Sequence, residues 1–94
     1  MNELVVTEIQ IIPVKPRNGL VAFVSCIINH QFYIGNIAIY TSLSSQEGFR
    51  LVYPIKTLPT GKELNCVYPI SREIGDIVLK AVVIKYKELL NKFA

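Results

Sequence analysis

The sequence has no tryptophan, one methionine, one histidine and two cysteines among its 94 residues. One histidine and two distant cysteines do not supply the four ligands of a structural zinc site, so no metal is expected. Cys26 and Cys66 read as reduced core residues rather than a disulfide, because two lone cysteines without a secretory leader suit a reducing compartment. Charge is scarce as well, at 18% of residues. The uncharged stretch between Arg17 and Glu47 is broken by Asn29, His30, Gln31, Gly35 and Asn36, and never supplies the roughly 20 apolar residues of a bilayer span. Met1-Asn2-Glu3 has none of the basic character of a signal peptide. A cytoplasmic protein without membrane attachment is expected.

What is present is apolar: 51% of the residues are hydrophobic, which excludes disorder, and the length suits a single domain over residues 1–94. The seven carboxylates are dispersed and form no pair suited to general acid and base. Cys26 and His30 stand four positions apart, about 13 Å in an extended strand, too far for a thiolate and its base. Gly61-Lys62 lacks the upstream glycine of a phosphate loop. These patterns predict a protein that is not an enzyme and that takes no cofactor or small-molecule substrate.

Glu3 to Val14 alternates with period two, Val5, Thr7, Ile9 and Ile11 on one face and Val6, Glu8 and Gln10 on the other, and reads as a half-buried strand. Pro13 confines its end to an edge or bulge. Lys15 to Gly19 concentrates turn formers, and Leu20 to Ile28 returns as a second strand. Asn29-His30 is a tight connection, since both residue types tolerate positive φ, and Phe32 to Tyr40 is a third strand with a bulge at Gly35-Asn36. Thr41 to Gly48 is the one long polar loop and the segment expected to be most mobile. Phe49 to Tyr53 and Leu64 to Tyr68 are short strands stopped by Pro54 and Pro69, with a turn at Pro59-Thr60-Gly61 between them.

Ser71 to Ala94 holds enough β-branched residues to pass for a strand, but two dozen residues without proline predict a helix. Ser71 is its N-cap, and Val78, Val82, Tyr86, Leu89 and Phe93 form its apolar face. Arg72, Glu73, Asp76, Lys80, Lys87 and Asn91 form the opposite stripe. Val83 falls within that polar stripe, as an exposed residue or a partner contact. The fold class is α+β: an antiparallel sheet of consecutive hairpins followed by one long C-terminal helix.

The ordered punctuation resembles the stage V sporulation protein G (SpoVG) family. Tyr53-Pro54-Ile55-Lys56-Thr57-Leu58-Pro59-Thr60-Gly61 and Tyr68-Pro69-Ile70 are similar to that family's Pro-Ser-Lys, Thr-Pro-Asp-Gly and His-Pro-Ile segments. Val6-Thr7-Glu8-Ile9 is similar to its opening strand, and Asn29-His30-Gln31-Phe32 to its Asp-His-Glu-Phe turn. The sequence departs from the pattern at Thr57, where the family has arginine, at Tyr68 in place of histidine, and at Gly75 in place of an arginine. It also carries Lys92-Phe93-Ala94 where members have an acidic tail. The resemblance implies a homodimeric regulator of sporulation, septation or gene expression that binds DNA and/or RNA.

A net charge of +3 permits such a partner without requiring it. The candidate contacts are Lys56 first, also the match to the family's loop lysine, then Lys62, Arg50, Lys85 and Lys87. Dispersed cations hold phosphates, and aromatics such as Tyr53 and Tyr68 can stack on unpaired bases. The alternative is a protein-interaction module that uses a sheet edge or apolar face without nucleic acid. Leu20 to Ile28 is apolar on both faces, and one helix cannot cover both. Homodimerisation satisfies that excess under either reading.

Overall fold

The computed structural model describes residues 4–93. Glu3, where the period-two pattern begins, and Ala94, where the helical pattern ends, lie outside the described residues, as does the side chain of Phe93. Strands β1 (Val6–Arg17), β2 (Leu20–Ile28), β3 (Phe32–Thr41) and β4 (Phe49–Val52) form an antiparallel sheet in the order β1-β2-β3-β4. Strands β5 (Ile55–Thr57) and β6 (Glu63–Asn65) form a separate two-stranded ribbon, and α1 (Arg72–Phe93) follows. The α+β reading and the chain-order hairpins hold.

Two hairpin turns explain why the sheet folds in chain order. Asn18-Gly19 and Asn29-His30 all have positive φ, 54°, 90°, 50° and 58°, the paired left-handed conformation of a type I′ turn, whose twist matches the strands it joins. Asn29 does more than turn. Its side-chain Oδ1 accepts a 2.8 Å hydrogen bond from the Val5 amide, and its own amide donates to the Val5 carbonyl, so the start of the first strand is held to the far end of the second. The first turn is tighter than Lys15 to Gly19, because β1 continues through Pro16 to Arg17, opposite Leu20.

Bulges then reassign faces. Between the pairs Thr7 with Ile27 and Gln10 with Ser25, β1 advances three residues and β2 only two, and Glu8 takes φ 49°. Leu4 and Val6 therefore pack on the same core as Ile9 and Ile11, so the strict alternation that set Val6 apart from Ile9 fails at Glu8. A second shift, between Leu20 and Ala22, carries Val21 to the core side. The expected bulge at Gly35-Asn36 is present: Val24 pairs with Ile37, Cys26 pairs with Ile34, and Asn36 has φ 58°.

The core is one layer between the sheet and α1, built from Ala22, Val24 and Cys26 of β2, Ile37 and Ile39 of β3, and Val78, Val82 and Tyr86 of the helix. Phe49 meets Tyr86 edge to face, centroids 5.3 Å apart at 81°, the favoured quadrupole arrangement. Ser71 caps α1 as its sequence position predicts: its Oγ accepts from the Ile74 amide at 3.2 Å and its carbonyl accepts from Gly75. Val83 is only 2% exposed, covered by the chain itself, which corrects its assignment to the polar stripe. It lies about 60° round the helix from Tyr86, so the buried arc is wider than the apolar spacing indicated. Cys66 is a further correction. It is exposed just past β6, while Cys26 is in the core as expected, and both thiols are free.

Candidate nucleic-acid interface

The ribbon β5–β6 arises because Pro54, which has no amide to donate, ends pairing with the main sheet, and the chain then turns back on itself. The Leu58 amide donates to the Lys62 carbonyl and the Gly61 amide to the Leu58 carbonyl, both at 2.8 Å, while Gly61 takes φ 90°. That left-handed φ suits glycine. Lys56 is therefore a strand residue opposite Leu64, not a loop residue, and the expected strand from Leu64 to Tyr68 shortens to Glu63–Asn65 and pairs with β5 rather than β4. Lys62 precedes β6, and the Leu58–Lys62 backbone bond extends the ladder by one step, so alternation carried through that step sets Lys62 on the face of Lys56; both are exposed.

The other three candidate cations do not join them. Arg50 is on the sheet face turned away from α1, its guanidinium carbon 4.7 Å from the Tyr40 ring centroid. Lys85 and Lys87 are exposed on α1, about 160° apart around its axis, so one surface cannot use both equally. Lys85 stands 4.0 Å from the exposed Glu88 carboxylate, a surface pair of little energetic weight.

The helix-free face carries two cross-strand rows. One runs Ile12, Phe23, Ala38, Val52 in register across all four strands, with Ile12 67% exposed. The other runs Arg17, Leu20, Tyr40, Arg50, again in register. Arg17 is a cation that composition alone did not single out. Its signal was the adjacent Asn18-Gly19, because a two-residue turn pairs the residues on either side of it. Two-sided apolar character in β2 is thus resolved as one face under the helix and one face open.

Tyr53 is half-buried against the core, and its hydroxyl has no hydrogen-bond partner among the described residues. Burial, with Cys26 nearby adding to the effect, pushes its pKa up to about 12. Burial also raises the Cys26 thiol, which keeps it protonated and unreactive at neutral pH. Tyr68, by contrast, is exposed. The polar loop closes on itself through a Ser42 amide bond to the Gly48 carbonyl, and with the first turns of α1 it bounds a 460 Å³ cleft carrying Glu47, Arg72, Asp76 and Lys80, charges of both signs. No described helix is long and apolar enough to cross a membrane.

Comparison with known proteins bears on this arrangement as a whole. The chain is 28% identical over 86 residues to the "Putative septation protein SpoVG" of Caldicellulosiruptor saccharolyticus, covering 92% of this chain and 94% of that one. A protein of the same name from Treponema denticola is 25% identical over 83 residues, 88% and 86% of the two chains, and one from Clostridium perfringens is 23% identical over 86 residues, 92% of each. Residues 4–88 match the SpoVG family as a unit, from Leu4, which packs on the core just before β1, to the last turns of the helix, and the chain belongs to that family.

Proposed function

We propose that this protein is a non-catalytic regulator that binds DNA or RNA as a homodimer, with the β5–β6 ribbon as its primary phosphate contact, and that it acts in septation, sporulation or gene expression. The observation that carries the reading is the placement of Lys56 and Lys62 on one exposed face of a ribbon that stands apart from the main sheet. Two ammonium groups on a short, proline-flanked support reach phosphates at low ordering cost. Thr57 beside them cannot grip a phosphate bidentately as arginine would, so these contacts position a strand without reading bases.

The homodimer is supported by the row Ile12, Phe23, Ala38 and Val52, an apolar strip that α1 does not cover. A two-fold partner would bury that strip against its own copy, at no need of a second kind of surface. The same strip favours a second reading, a protein-interaction module whose charge serves only solubility. Titrating salt against labelled single-stranded DNA and RNA separates the two. Phosphate contact with a single strand gives a log-log slope of about −3 to −6 for a dimer making four to eight contacts, and Lys56→Ala makes it shallower by about 0.7, or about 1.4 if both protomers engage. Affinity without salt dependence, or an unchanged slope in a folded Lys56→Ala protein, rejects the ribbon as the interface.

A further inference from the structure

Strand β3 is paired on both sides only from Ala38 to Thr41; from Phe32 to Asn36 its far edge has no partner strand among the described residues. Against that edge lies a cleft of about 390 Å³, within the range of small-molecule sites, bounded by Ile28, Phe32, Tyr33 and Gly35 on one side and by Pro54 and Val67 on the other. Its lining is apolar, yet its two rings are open to solvent: Phe32 is 68% and Tyr33 70% exposed. The Tyr33 ring leans along its own strand over Gly35, where an added Cβ would stand 2.8 Å from the tyrosine hydroxyl. Glycine is what lets the ring lie there. Pro54 immediately precedes β5 and Val67 follows β6, so the far wall of the cleft is the root of the ribbon that carries Lys56 and Lys62.

We infer that this cleft takes one unpaired nucleobase of a single strand whose phosphates lie along the ribbon. Exposed aromatic rings stack on the π-face of any base, and open strand-edge amides and carbonyls supply hydrogen bonds to base edges. A paired base hides those edges and its faces within the duplex, so the cleft makes single strands the preferred ligand. The lysines alone would not discriminate, because phosphates are present in both forms. The inference rests on the proposed nucleic-acid function, and it adds the strand state of the ligand and the residues that read it. A peptide strand pairing with the open edge is the competing occupant; the exposed Phe32 ring on the near wall, and the lysines of the ribbon rooted in the apolar far wall, favour a base.

The test uses the full chain with matched single-stranded and duplex oligonucleotides carrying 2-aminopurine, whose fluorescence is quenched on stacking. Phe32→Ala is expected to weaken single-strand binding by about 5- to 150-fold, to abolish part of the quenching and to leave both the duplex affinity and the salt slope unchanged. Phe32→Leu, which keeps apolar bulk without a π-face, is expected to behave like the alanine variant, and Phe32→Trp to restore binding. Rescue by leucine would overturn stacking in favour of apolar docking. Equal losses on single strands and duplex, or conversion of a dimer to a monomer by Phe32→Ala, would also overturn it, the latter by making Phe32 an interface residue. Salt-dependent binding that survives Phe32→Ala at full strength rejects the cleft alone. Absence of binding to either form by the unaltered protein rejects the nucleic-acid reading together with it.

Discussion

Tyr40 and Arg50 are cross-strand partners in the β3–β4 ladder, and the Arg50 guanidinium lies over the Tyr40 ring at 4.7 Å from its centroid. The pairing does two things at once. It covers one face of an aromatic ring on the helix-free side of the sheet, and it holds a cation beside the apolar row that ends at Val52. An exposed cation–π contact contributes about 0.5–1 kcal/mol. Arg50→Ala is therefore expected to lower unfolding stability by that amount, and Arg50→Ala combined with Tyr40→Leu to cost less than the two single changes summed. Additive losses in urea titrations would mean that the contact contributes nothing.

Ile12 and Val52 stand at opposite ends of the uncovered apolar row. Replacing both with lysine places like charges on a surface that a two-fold copy would bury. The native protein is expected to scatter light as about twice 10.6 kDa at micromolar concentration, and the double variant as the single mass with its circular dichroism intact. A native mass of 10.6 kDa under those conditions rejects the stable dimer.

Asn29 combines φ 50° with the side-chain bond to Val5. Asn29→Gly keeps the turn conformation and loses only that bond, at about 0.5–1.5 kcal/mol. Asn29→Ala loses the bond and also the tolerance of left-handed φ that asparagine's short polar side chain confers, for a total of about 1.5–3 kcal/mol. The order of the two denaturation midpoints is the check, and an alanine variant more stable than the glycine variant contradicts the turn geometry.

Tyr53 makes stability depend on alkaline pH. In the unfolded chain its hydroxyl ionises near 10, whereas the folded protein holds the proton up to about 12. The folded state thus binds the proton more tightly, so the contribution is fully present below pH 10 and is lost as pH rises through 12. Between those values, unfolding midpoints of the native protein are expected to fall more steeply than those of Tyr53→Phe. The phenylalanine variant should match or exceed native stability at neutral pH, because it removes a buried hydroxyl that has no partner.

Features set by a few neighbouring residues could be read from the chain alone. The turn at Asn29-His30, the bulge at Gly35-Asn36, the Ser71 cap and the span of β2 depend on local φ preferences and local hydrogen bonds, which the residue types themselves carry. The helix was legible because its length exceeded any ordinary strand. What only the tertiary structure decided involves partners distant in sequence. The bulge at Glu8 rests on a residue with weak preference for positive φ, and it exists because Leu4 and Val6 gain the core by it. Val83 is buried because the fold covers an arc of α1 wider than the run of apolar positions suggests. Whether β6 pairs with β4 or β5, and whether Cys66 faces core or solvent, followed from how Pro54 ends the main sheet and frees the ribbon. The candidate cations were visible as residues, but their grouping was not: register and helix rotation put Lys56 and Lys62 on one face of the ribbon, set Arg17 in line with Arg50, and separated Lys85 from Lys87.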